Sequence, residues 1–356
     1  MSLFFQNSKV NILRFVLLII TLALSVNGLA VSDEYITDTL YVDFEFGQQS
    51  TEVSLSQATA IEILPNRNVL VVDCDNHRIV IFSPEGKYLK EMGTIGSGEY
   101  QFFYPRDAAV GSDRIFIIDS GNNRVAMLSF DLEWLGSIDF DFMPDAIISD
   151  NNNGIYVGSF LNRTHLLAKY DLKGNLIKTI GTPLGDQYDD DDLSSKLNEF
   201  SVDWIDSSHF VICHNFLAYI ICGDSLEYGW VPNIDLLVKD FNKLFKSVSM
   251  KQEENSSITY NLIINALRKE KNIGKPFNYS NYITDICSFN HNILLITYGC
   301  IFNYSCSGKL IKKSVVINKK GERFPFSRIT CSPEGRIYLM NRYSNHSMCY
   351  GITYQP

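Results

Sequence analysis

The chain has 356 residues, 46% of them apolar and 20% charged, the composition of a globular protein with ample material for a core. Its formal net charge is −9. An acidic surface repels phosphate backbones, so nucleic acid is disfavoured as a partner.

The first segment reads as a leader. Lys9 and Arg14 give a positive start, Phe15 to Leu24 is an apolar run, and Gly28-Leu29-Ala30 ends it with small residues at cleavage spacing. The run is shorter than the roughly 20 residues that span a bilayer. Residues 1–30 are therefore expected to be a signal peptide, and no cysteine near the site points to a lipid anchor. Residues 31–356 would then carry a charge of −11, because the leader removes two positive charges. No later stretch is long and apolar enough to cross a membrane. The expected location is outside the cytoplasm: periplasmic, cell-surface or secreted.

Thr39–Phe46 (TLYVDFEF) follows as an isolated strand. Then a repeat begins. Residues 70–93 and 115–138 align with Asp73 on Asp119, Asn76 on Asn122 and Arg78 on Arg124, each 46 positions apart. Phe82-Ser-Pro-Glu-Gly86 matches Tyr170-Asp-Leu-Lys-Gly174 at an offset of 88, two repeats on. Within a unit, β-rich runs alternate with turn residues: Leu70–Val72, the Asp/Asn-rich turn at 73–77, Ile79–Phe82, the Pro84-Glu85-Gly86 turn and Tyr88–Met92. Four strands in about 40–45 residues make one propeller blade. A blade cannot cover its own two faces, but a closed ring of blades can.

Asp73…Asn76-His77-Arg78-Ile79 and Asp119…Asn122-Asn123-Arg124-Val125 resemble the signature of NHL repeats. So do the connector Gly96-Ser97-Gly98-Glu99-Tyr100-Gln101-Phe102 and the segment Tyr104–Val110 after it. The likeness is strongest over residues 58–140. The chain also resembles exported six-bladed propellers of Bacteroides-like gut bacteria, in which a short N-terminal strand closes the ring.

First strands starting near Ala60, Ala108, Ala146, Trp204, Ile286 and Ile329, each followed by a second apolar run, count six blades. The last lacks a strand, which Thr39–Phe46 is expected to supply as a clasp. The predicted fold is thus all-β, a six-bladed β-propeller of four-stranded NHL-like blades, monomeric. Residues 233–273 break the pattern, with Ile234, Leu237, Val238, Phe241, Phe245 and Val248 at helical spacing. They predict a helical insertion between blades four and five, either a packed cover or a recognition surface.

Eight cysteines follow the leader, without a CxxC pair. Cys213/Cys222 and Cys300/Cys306 could each bridge a hairpin, or the cysteines could be buried thiols. Five N-x-S/T sequons start at Asn162, Asn255, Asn278, Asn303 and Asn345.

Asp107, Asp145, Asp203 and Asp285 each stand before a predicted first strand, the one lining the central channel. Clustered carboxylates repel one another, which a hard cation such as Ca²⁺ would relieve. Short aspartates at strand starts also accept N–H bonds from their own turns. Arg106 and Arg328 stand beside the corresponding strands and would oppose a cation. Asp73, Asn76 and Arg78, with Asp119, Asn122 and Arg124, read as repeat-keeping residues. The six histidines do not neighbour the channel aspartates, which gives no zinc ligand set. The acidic run Asp189–Asp192 lacks the spacing of a calcium loop. No nucleophile elbow, phosphate loop or HExxH motif is present, so no residue is assigned a catalytic role and no cofactor is required.

The expectation is a non-catalytic module that binds a protein, peptide or glycan at the channel face, with Tyr104 and Trp204 among the contacts, and Tyr100 and Phe103 beside them. The alternative is a Ca²⁺-dependent lactonase- or lyase-like enzyme built on the aspartates. It rests on fold analogy alone.

Overall fold

The computed structural model describes residues 36–47, 53–150, 154–162, 164–181, 183, 199–206, 208–214, 217–222, 225–230, 284–297, 299–341 and 347–354. The leader, the 233–273 segment and Asp189–Asp192 lie outside them. Six sheets form in chain order, the blades of a propeller. Their inner strands are Ala58–Ile63, Pro105–Val110, Ala146–Ser149, Phe200–Trp204, Asp285–Phe289 and Arg328–Cys331. Each blade runs outward as an antiparallel meander.

The middle strands explain the sequence pattern. Val69–Asp73 and Ile115–Asp119 are buried at every position, not at alternate ones. A blade is covered on both faces, so its middle strands read as continuous apolar runs. The outer strand Tyr88–Met92 alternates between half-buried and exposed positions. Six apolar clusters result, one in each gap between neighbouring blades. The hairpin turns recur as predicted: Gly86 and Gly174 both adopt positive φ, +80° and +82°, which glycine reaches without strain. A Cβ on Gly86 would also lie 2.8 Å from the Phe46 ring.

Closure takes two strands instead of one. Phe44–Phe46 pairs antiparallel with Met348–Thr353 and completes blade six, with Phe46 opposite Cys349. The preceding Ile36–Tyr41 runs parallel to Leu310–Ile317 as a fifth strand on blade five. The predicted clasp is therefore split: only its second half closes the ring, because Val42 and Asp43 step across the seam between the two blades. Val42 N–H donates to Ile317 O and Asp43 N–H to Gly351 O, one bond to each blade.

The first strand of blade four also differs from expectation. It begins at Phe200, so Asp203 lies in its fourth position, opposite Val211, and not ahead of it. Asp107 likewise sits inside its strand, opposite Ile118.

Candidate functional site: the channel and the connector face

The inner strands enclose a channel with a cavity of about 160 Å³, lined by Glu62, Asp107, Asp145, Asp203, Asp285 and Arg328 among others. Three of the four predicted aspartates form one electrostatic group. Asp107 Oδ2 accepts the N–H of Ile147, Asp203 Oδ2 that of Ser288, and Asp285 Oδ2 that of Ile329, at 3.0, 2.6 and 3.0 Å. Each carboxylate thus reaches from its own inner strand to the next one. Their other oxygens are engaged locally: Asp107 Oδ1 by Ala108 N–H and Asp203 Oδ1 by Trp204 N–H. Arg328 Nε continues the circuit by donating to Thr59 O on blade one.

Asp145 stands apart. It pairs with Arg106 at 2.8 Å and accepts the N–H of Phe160. Burial raises its carboxyl pKa, against the pull of Phe160 and Arg106.

Glu62 takes the fourth place in the group, and sequence reading missed it. It is the fifth residue of ATAIEI, a charged side chain on an inner strand of otherwise apolar or small residues, and that break in pattern was the available signal. It feels Asp203, Asp107 and Asp285, and its hydrogen bond is to the N–H of Ile63. Unlike the aspartates it makes no bridge to a neighbouring blade among the described residues.

Four neighbouring carboxylates with Arg328 as the cation among them cannot all ionise readily. Burial pushes Asp107 up to about 7, opposed by Arg328 and its N–H donors. Burial likewise takes Asp203 to about 6. Asp285 is raised by burial with Arg328 pulling the other way. Glu62 is raised well above the ordinary range, first by burial and then by the three aspartates.

The oxygens of Asp107 and Asp203 point at N–H groups, and an arginine shares the ring. Among the described residues, no three His, Cys, Asp or Glu side chains converge as metal ligands.

The repeat residues organise the face that carries the blade-to-blade connectors. Asp119 accepts from Asn122, Arg124 and the Phe103 N–H. Arg124 also donates to Ser97 O, Gly98 O and Gln101 O, and Asn122 to Gly96 O. Blade one repeats the plan: Asp73 accepts from Asn76, Arg78 and the Ser56 N–H. One turn thereby fastens the chain entering the blade.

That connector displays the aromatic residues. Tyr100, Phe103 and Tyr104 are 44%, 38% and 46% exposed. Phe103 and Tyr104 have ring centroids 4.8 Å apart, with His77 4.9 Å from Tyr104. His77 Nδ1 accepts the Tyr104 N–H. Tyr104 adopts φ 52°, as Gln57 does (φ 49°) at the matching place in blade one. The left-handed backbone belongs to the repeat; the tyrosine does not. Trp204 is placed differently: its indole N–H donates to Ser149 O and its ring packs on Tyr156 and Phe210, between blades three and four.

The cysteines pair otherwise than by hairpins. Cys287 and Cys331 form a disulfide joining the inner strands of blades five and six. Cys213 faces Ala218 across its hairpin and Cys222 faces His209, so register separates them. Cys300 faces Val315 and Thr297, at the far end of its strand from Cys306.

Six meandering blades around a carboxylate-lined channel define a six-bladed β-propeller. Residues 39–184 match the model of a protein family described as 6-bladed beta-propeller. Among solved structures, a Bacteroides fragilis protein described as exported is similar at 12% identity and TM-score 0.53, over 90% of this chain and 99% of that one. A virginiamycin B lyase of Staphylococcus aureus is similar at 9% identity and TM-score 0.51, over 87% and 98%. A gluconolactonase of Xanthomonas campestris is similar at 8% and 0.50, over 84% and 87%. At these identities the likeness is one of fold. No curated protein matches the sequence. No helix among the described residues is long and apolar enough to cross a membrane.

Proposed function

We propose that this propeller is an exported binding module that grips a protein, peptide or glycan on its connector face. The observation that carries the reading is the exposure of three aromatic residues along one connector, Tyr100, Phe103 and Tyr104, a connector that Arg124 and Asn122 hold by four hydrogen bonds. Rigid aromatic side chains lose little entropy on binding and dominate many interfaces. The channel aspartates meanwhile accept N–H groups of neighbouring blades, which favours the binding reading over a metal-dependent lactonase or lyase.

The test is a binding screen of the purified chain against immobilised soluble polysaccharides and a peptide library, repeated with the Tyr100→Ala/Tyr104→Ala variant. A ligand held by the wild type and lost by the variant, at unchanged melting temperature, supports the reading. Turnover of lactones that needs added Ca²⁺ and disappears in Glu62→Gln would replace it with the enzyme.

A further inference from the structure

The Cys287–Cys331 disulfide occupies a distinctive place in the ring. It ties blades five and six at the axis. The same two blades are tied at the rim, where Val42 and Asp43 carry the chain from the outer strand of one to that of the other. Asp285 and Thr284 add hydrogen bonds to Ile329 N–H and Phe326 O across the same gap. Blade six is itself assembled from both ends of the fold, Phe44–Phe46 and Arg328–Thr353. Holding this seam therefore holds ring closure.

The disulfide is also reachable. Both sulfur-bearing residues line a second cavity of about 490 Å³ at the opposite mouth from the connectors, between the 64–67 and 333–334 turns. Cys331 is partly exposed, whereas Cys287 is 4% exposed. The mouth carries Glu62, Asp203 and Glu334 against Arg67, which is already paired with Glu334 at 2.8 Å. Above about pH 6 Asp203 is ionised while Glu334 and Arg67 cancel, so the field at this mouth is then negative, which draws cationic molecules in and turns anionic ones away.

We propose that Cys287–Cys331 is an exchangeable bond that governs the blade five–six seam, opened by a small cationic thiol entering at this mouth. The thiolate attacks Cys331 Sγ, forming a mixed disulfide, and Cys287 leaves as a thiolate that takes a proton. A second thiolate attacks the external sulfur of the mixed disulfide and releases Cys331. The protein gains two thiols and the external thiols become one disulfide, so the electrons balance. Once the bond is open, the seam keeps its hydrogen bonds, its packing, the Val42–Asp43 crossing and the 318–327 connector.

The test uses the purified full chain. Non-reducing digestion and mass mapping should yield one cross-linked peptide pair containing Cys287 and Cys331; its absence overturns the proposal. Cysteamine should then open the bond under native conditions, and cystamine should restore it. It should open it about tenfold faster than 3-mercaptopropionate at equal thiolate concentration, a ratio that shrinks in 1 M salt. Hydrogen exchange should rise about tenfold in Phe44–Phe46 and Arg328–Cys331 on opening and stay unchanged in Val69–Phe82 of blade one. Equal rates for the two thiols, or opening with no change in exchange at the seam, would overturn the assignment. Because the readout is reversible on the wild type, it does not depend on a cysteine variant that folds.

Discussion

Arg124 Nε donates to Asp119 Oδ2 at 2.8 Å, with 9% of the arginine side chain and none of the aspartate exposed. The pair sits where the connector from blade one enters blade two, and Trp134 stacks beneath the guanidinium at 5.0 Å. Burial raises the Asp119 carboxyl even with Asn122, Phe103 N–H and Arg124 opposing it. Arg124 thus serves as both counter-charge and scaffold for three carbonyls.

Arg124→Ala is expected to cost about 3–5 kcal/mol, because it leaves a buried carboxylate uncompensated. Arg124→Lys should recover little, since an ammonium cannot span the carboxylate and three carbonyl oxygens as the planar guanidinium does. The blade-one counterpart Arg78 is 19% exposed, and Arg78→Ala should cost about 1–3 kcal/mol. Thermal unfolding of the three variants checks the order; equal effects of Arg124→Ala and Arg78→Ala would contradict it.

The blades were legible in the sequence because their signals are local. Asp73, Asn76 and Arg78 recur at 119, 122 and 124, and the hairpin glycine Gly86 recurs two repeats on as Gly174. The site was legible only in part, because its members meet across blades. Asp107, Asp203 and Asp285 announced themselves as charges beside apolar strands, but nothing local says that each reaches the following blade's N–H. Asp145 has the same local look and turns instead to Arg106. Glu62 was missed for the converse reason: a residue inside a strand carries no turn signal, and its neighbours in the channel lie far away in sequence. Cys287 and Cys331 are one blade apart, 44 residues, which a search for hairpin pairs does not reach.

Asp107→Ala removes the acceptor for the Ile147 and Ala108 N–H groups. A buried donor left without a partner costs about 1–3 kcal/mol, set against relief of an unfavourable charge. The expected net effect is a fall of a few degrees in melting temperature, with hydrogen exchange raised at Ile147. Asp145→Ala should leave Ile147 protected. Raised exchange at Ile147 in both variants would mean that Asp107 has no specific part in joining blades two and three.

Asn303 lies in a sequon yet is 2% exposed, and its Nδ2 donates to Tyr354 OH at 3.1 Å. Expression in a host that glycosylates secreted proteins should leave Asn303 unmodified. Glycopeptide mapping decides this, and a glycan on Asn303 in folded protein would contradict the buried placement of that strand.

The channel carboxylates give stability a definite pH dependence. An acid whose native pKa lies above its unfolded value binds more protons folded than unfolded between the two, so rising pH works against the fold across that interval. For Asp107 the interval runs from 3.8 to about 7, and for Asp203 from 3.8 to about 6. Asp285 and Glu62 act in the same direction. His165 opposes them: burial lowers its pKa, so its contribution improves as pH rises toward 6.5. Asp38, Asp113, Asp171 and Asp206 are lowered, and their contributions are lost only as pH falls below the ordinary carboxylate range. Asp73, Asp119 and Asp145 are raised by burial as well, and these raised acids together outweigh one lowered histidine, so the melting temperature should be highest near pH 5 and lower at pH 8. Glu62→Gln removes the member that bridges no blades, and should flatten the decline and raise the melting temperature at pH 8. A melting temperature that is flat or rising from pH 5 to pH 8 would mean that these groups ionise freely and that the channel holds its charge without strain.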